Sequence, residues 1–192
     1  MNLIPLRYLA LLPGILFLLP IIAQAHTGTG QAGDLATGFG HPLGGTDHLL
    51  AMIAVGLWAA QMGGSAVWVV PASFVSIMVL GGALGVLGFQ IPYIEEGILV
   101  SVLVLGVLIA AAVRLPAFAG AAVVGLFALF HGHAHGAEMP LASASISYSL
   151  GFALATAILH GLGLFLGIAS TSTKTRLAGS AIALSGVYLA LI

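Results

Sequence analysis

From Ile98 to Val113 the chain carries no charge. Nothing constrains the fold more than such apolar runs, which recur at approximately 42–61, 66–88, 94–113, 116–133, 141–169 and 175–192. Each is close to the ~20 residues an α-helix needs to cross ~30 Å of hydrocarbon. Hydrocarbon offers no water to backbone N–H and C=O groups, so a crossing chain is helical or a closed barrel, and these runs lack the alternation of barrel strands. Only 5% of the residues are charged and the mean hydropathy is +1.21, whereas a soluble domain carries about 25% charge. The sequence predicts an all-α integral membrane protein: a six-transmembrane-helix bundle over residues 26–192 preceded by a signal peptide over residues 1–25.

The leading segment contains Arg7, an apolar stretch from Leu9 to Ile22 and the triplet Ala23-Gln24-Ala25, the pattern of a secretory signal cut after Ala25. An uncleaved first helix is the alternative, weakened by Pro13, Gly14 and Pro20. Cleavage would leave His26 with a free α-amino group beside its imidazole, a bidentate candidate for a divalent metal; the rival reading is an ordinary solvated residue. Residues 26–40 are polar and glycine-rich and read as an external loop or arm. Arg7, Arg114, Lys174 and Arg176 fall at one end of the spans, which the positive-inside rule assigns to the cytoplasm. The mature N-terminus, Asp34, His41, Glu95, Glu96 and the tract from His131 to Glu138 then lie on the outer side of a bacterial-type cytoplasmic (inner) membrane. Gly81, Gly85 and Gly88, and Gly163 with Gly167, offer small faces for close helix packing. No internal repeat marks an inverted-repeat transporter.

A net charge of −1 leaves no basic patch for phosphates, so nucleic acid is not an expected partner. The expected partners are a divalent metal ion and the lipid bilayer, and a homo-oligomer is compatible with such a bundle. There are no cysteines, whereas seven histidines outnumber the charged residues of either sign. Imidazole is the commonest metal ligand, and polar groups within spans point to function.

Three groups carry the chemistry. His41-Pro42-Leu43-Gly44-Gly45-Thr46-Asp47-His48 leads into the first span. A continuous helix would bring His41 and His48 within about 20° of one another, with Pro42 in a first turn that Gly44-Gly45 could open. Met52, one turn beyond His48, reads mainly as packing. In the second group, a helix places His131, His135 and Glu138 on one stripe with His133 on the far side, and an extended strand places the three imidazoles together. The third is His160, deep in the fifth span, either a packing residue or a further station on an ion path. Imidazole nitrogen and carboxylate oxygen suit Ni²⁺, Co²⁺ or Zn²⁺ better than Cu⁺, and are too nitrogen-rich for Mg²⁺ or Ca²⁺.

The string His41-Pro42-x-x-Gly45-x-Asp47-His48-x-x-x-Met52-x-x-Val55-Gly56-x-Trp58-Ala59, then Phe130-His131-Gly132-x-Ala134-His135-Gly136-x-Glu138 and the later His160-Gly161, resembles the HupE/UreJ family of nickel or cobalt membrane transporters. The resemblance implies a permease or facilitator supplying metal to enzymes such as [NiFe] hydrogenase or urease, or serving cobalt uptake, with no catalytic role and no catalytic cofactor. The larger nickel/cobalt permeases carry a His-x4-Asp-His signature, whereas the spacing here is His-x5-Asp-His. The expected route runs from capture at His131, His135 and Glu138, helped by His26, to a later stage at His41, Asp47 and His48. Rival readings are a membrane-embedded zinc-dependent hydrolase, a di-histidine haem protein and a metal-binding membrane protein that transports nothing. The hydrolase lacks a HExxH motif and a Gly-x-Ser-x-Gly elbow. The sequence holds no nucleotide-binding loop.

Overall fold

The structure, a computed structural model, describes residues 35–139 and 145–192. The expected signal peptide, His26 and Asp34 lie outside the described residues. Among the described residues all regular structure is helical: α1 (Leu35–Gly44), α2 (Thr46–Met62), α3 (Ala66–Val86), α4 (Ile94–Ala110), α5 (Ala117–Ala137), α6 (Ser145–Ala169) and α7 (Ser172–Leu189). Helices α3, α5 and α6 are each long and apolar enough to cross a membrane, and α1 with α2 passes as a fourth unit bent by 88°. Their outer faces expose Trp68, Phe118, Ile146 and Phe165, a distribution that water penalises and lipid does not. This is an all-α membrane protein.

Each of the six expected apolar segments holds a helix, but α4 and α7 do not meet the spanning criteria alone. Helix α4 has 17 residues, about 25 Å at ~1.5 Å per residue. It stops where Ala112 takes a left-handed φ of 56°, just before Arg114 and Pro116. Helix α7 fills its first turns with Ser172, Thr173, Lys174, Thr175 and Arg176, which lowers its apolar content. Residues 35–40, expected in a loop, are helical because α1 lies directly on α6. There Gly38 approaches the Tyr148 carbonyl and Gly151 approaches the Leu35 carbonyl. Pro42, expected in a first turn, is buried near the end of α1.

Helix α2 is the axis of the bundle. Every residue from Leu50 to Ala59 is buried and the helix touches all six of the others, which is why its sequence is apolar on all sides rather than on one stripe. Close approach of backbones sets its neighbours. Gly56 and Gly163 face the α6 and α2 backbones respectively, and Gly132 and Gly136 on α5 face the Met78 and Gly82 carbonyls of α3. Gly81 and Gly85 serve the same α3–α5 seam, as expected, whereas Gly88 instead turns the chain with φ 78° and meets nothing.

The helices alternate in direction and so sort the polar residues by end. At one end Trp58 Nε1 donates to the Val113 carbonyl (2.9 Å), Gln61 Nε2 to that of Ile109 (3.0 Å) and Arg176 Nε to that of Ala110 (2.8 Å). This end holds Arg114, Lys174 and Arg176; the other gathers α1, the start of α2 and the C-terminus of α5.

The α2–α6 seam is the part of this packing most exposed to test. Gly56→Val would drive a side chain into the α6 backbone near His160 and Leu164, with an expected loss of about 1–3 kcal/mol and a lower thermal midpoint in detergent. Gly40→Ala, whose Cβ meets nothing within 4 Å, should not lower the midpoint and should raise it slightly, since alanine is the better helix former.

Candidate metal centre

The centre starts at a break in the helix. Gly45 is extended (φ −103°, ψ 122°) between α1 and α2. A Cβ there would stand 2.8 Å from Asp47 Oδ1 and 3.1 Å from His48 Nδ1, so the missing side chain is what lets the carboxylate fold over the start of α2. Asp47 Oδ1 accepts the backbone N–H of His48 at 2.7 Å and its ring Nδ1–H at 2.8 Å. The carboxylate can only accept, which assigns the ring proton to Nδ1 and leaves Nε2 bare.

The same logic fixes two more rings. The Ser101 hydroxyl donates to the Ile98 carbonyl at 2.6 Å, so it accepts the Nε2–H of His131 at 2.9 Å, and His131 Nδ1 is bare. His160 donates from Nδ1 to the Met52 carbonyl at 2.7 Å, and its Nε2 is bare. Neither ring nitrogen of His135 has a protein partner. The bare atoms of His48, His131 and His160 and both nitrogens of His135 are buried without a protein hydrogen-bond partner, as are His133 Nδ1 and Gln61 Oε1. Lone pairs of this kind are expensive in a low-dielectric interior unless a water or a cation meets them.

The rings form a graded file. Centroids are 4.4 Å apart for His41 and His135, 4.5 Å for His135 and His48, and 4.7 Å for His48 and His131. Phe74 follows, 5.6 Å from His131 and 4.9 Å from His160. The Glu138 side chain is 68% exposed and that of His41 33%, whereas His131 is fully buried. At the exposed end His41, His135 and Glu138 offer ligand atoms within 4.8 Å of one another, slightly wider than the ~4.2 Å between opposite ligands on one ion bound at ~2.1 Å. His41 Nε2 and Glu138 Oε2 are 3.9 Å apart.

This arrangement differs from two clusters used in succession. The motifs interleave: His41 sits with His135 and Glu138, while His48, held by Asp47, sits between His135 and His131. The 88° bend at Gly45 separates His41 from His48, which a continuous helix would have stacked. His133 leaves the file, since its Nε2 donates to the Phe89 carbonyl at 2.6 Å and ties the 87–93 loop to α5. Met52 is fully buried; besides receiving the His160 bond, its sulfur lies 3.4 Å from the Thr156 hydroxyl. Ser101 went unrecognised in the sequence, where its only signal is a lone hydroxyl inside the 94–113 run.

Two substitutions test this geometry. Ser101→Ala removes the group that holds the His131 tautomer and should weaken Co²⁺ binding by about 10–100-fold in isothermal titration. Gly45→Ala should weaken it through the crowded Asp47–His48 pair, while Gly44→Ala, whose Cβ meets nothing within 4 Å, should not.

Both histidine motifs fall within residues 15–189, which match the family described as HupE / UreJ protein. A curated relative, Protein HupE of Rhizobium leguminosarum bv. viciae, is 48% identical over 177 residues, spanning 89% of this chain and 91% of the relative. No solved structure matches. A family match over nearly the whole length, joined to a relative of this identity and coverage, places the chain in the HupE/UreJ family.

Proposed function

We propose that the protein is a secondary transporter or facilitator that moves Ni²⁺ or Co²⁺ across the cytoplasmic membrane and supplies metalloenzyme or cofactor assembly. The observation that carries this reading is the file of bare, buried ring nitrogens that begins at an exposed carboxylate and continues inward. The same donors accommodate Zn²⁺, and membership of the HupE/UreJ family supports a role in metal handling over catalysis. In this reading α4 and α7 complete six spans, the end bearing Arg114, Lys174 and Arg176 faces the cytoplasm, and Glu138 faces outward.

The division of labour follows from charge and burial. Glu138 and His41 meet the hydrated ion at the surface, and His135 draws it inward as water is exchanged for nitrogen. Asp47 supplies the negative charge that offsets part of the cost of a divalent ion in a low dielectric, acting through its bond to His48 as well as through space. Shared ligands in series favour transfer over tight retention, because each neighbour offers an alternative site.

Uptake into proteoliposomes tests the proposal. Wild-type protein should accumulate Ni²⁺ or Co²⁺, and His135→Ala or Asp47→Ala should cut the initial rate by at least about tenfold. Acidifying the outer compartment should slow uptake, since protons compete for the same bare nitrogens. Uptake indifferent to both substitutions would contradict the scheme.

A further inference from the structure

The outer triad of His41, His135 and Glu138 has one side made of aromatic rings. Tyr148 and Phe152 stand one turn apart near the start of α6, so they share a face, and both are buried. The Tyr148 ring lies 5.8 Å from that of His41 and the Phe152 ring 4.2 Å from that of His135. Phe152 also reaches the His41 ring at 6.3 Å, and the two aromatic rings stack on each other at 6.5 Å.

The same two rings border a cavity of about 30 Å³, which His135 also lines. A water needs ~10–15 Å³ of such space, so two or three fit. The α3–α5 side of the cavity does not yield, because Gly132 and Gly136 press there against the Met78 and Gly82 carbonyls. Its α6 side is formed by Tyr148 and Phe152, and Met78, Val79 and Met139 add to an apolar lining. His135 nevertheless keeps both ring nitrogens buried and without a protein partner. The one imidazole bordering this confined space is therefore the one most in need of a ligand.

Mg²⁺ and Ca²⁺ take six or more oxygen ligands, and Mg²⁺ gives up its waters reluctantly. For a transition-metal ion, imidazole nitrogen offsets that loss. The apolar surroundings of a metal site control how far solvent reaches it. We propose that Tyr148 and Phe152 are specificity-determining residues: they form a water-excluding wall that lets an ion held by His41, His135 and Glu138 keep only a few waters, which turns away Mg²⁺ and Ca²⁺ in favour of ions that accept nitrogen. The wall deepens the transport reading and rests on it for its part in selecting cargo, whereas its effect on bound water follows from the geometry. The operative property is the volume of the rings.

The test uses full-length protein in lipid nanodiscs loaded with one equivalent of Co²⁺, whose visible absorption is intense in sites of low coordination number and weak in an octahedral, water-rich one. The wild type should give the intense spectrum, and His135→Ala should lose it, which assigns the signal to this site. Phe152→Ala opens the wall and should bind Co²⁺ with the weak spectrum. Excess Mg²⁺ should then raise its apparent Co²⁺ Kd by about tenfold or more, while that of the wild type stays unchanged. Phe152→Leu restores most of the volume without an aromatic ring and should return both readouts to those of the wild type. Tyr148→Val opens the same wall from its outer edge, with the same change expected, and serves where Phe152→Ala does not fold. A wild-type spectrum that is already weak, wall variants that keep the intense spectrum, or a Phe152→Leu protein that behaves as Phe152→Ala would each overturn the wall. Intact spectra and Mg²⁺ rejection in a protein that moves no ion would instead count against the transport reading.

Discussion

A neutral imidazole has one donor and one acceptor, and a low-dielectric interior penalises whichever is left alone. This constraint organises the protein. His48, His131 and His160 each anchor their N–H on a dedicated acceptor, namely Asp47, Ser101 and the Met52 carbonyl, and each leaves the other nitrogen buried and unmet. An interior selected only for packing would favour the opposite arrangement, with apolar side chains or with both nitrogens satisfied. The anchoring acceptors do two things at once: they fix which nitrogen is bare and they raise its basicity toward a cation.

The fold holds these rings in place through a helix that is buried on every side. Helix α2 touches all the others and carries the Asp47–His48 pair at its head and the Met52 carbonyl one turn further on. Glycines let the α2–α6 and α3–α5 pairs pack backbone to backbone, and that closeness brings His160 to Met52 and seats His131 and His135 beside α2. Membrane helices gain little from burying one apolar surface on another, so contact of this kind supplies much of their cohesion. The histidine file and the packing seams are therefore parts of one arrangement.

Much of this was legible in the amino-acid sequence. The apolar runs implied helices, the two histidine motifs stood out against a nearly chargeless background, and the alternation of loops brought them to one end. Periodicity left the second motif either helical, with His131, His135 and Glu138 on one stripe, or extended, with its three imidazoles together; the structure takes the helical form. What the sequence concealed depends on contacts between distant segments. The interleaving of His41 with His135 needs the bend at Gly45, which in turn needs the absence of a Cβ beside Asp47. The helical state of residues 35–40 depends on the packing of α1 against α6, and the early end of α4 depends on the left-handed turn at Ala112. Ser101 is indistinguishable in sequence from any tolerated serine until His131 is seen beside it.

The central claim is that the bare nitrogens of this file are ligands to a transition-metal ion. X-ray absorption at the metal edge, on nanodisc-embedded protein loaded with one equivalent of Co²⁺, addresses that directly. The account predicts a shell of nitrogen and oxygen ligands with the outer-shell scattering of more than one imidazole, reduced in the His135→Ala protein. A shell of oxygen alone, with no imidazole scattering, would contradict it.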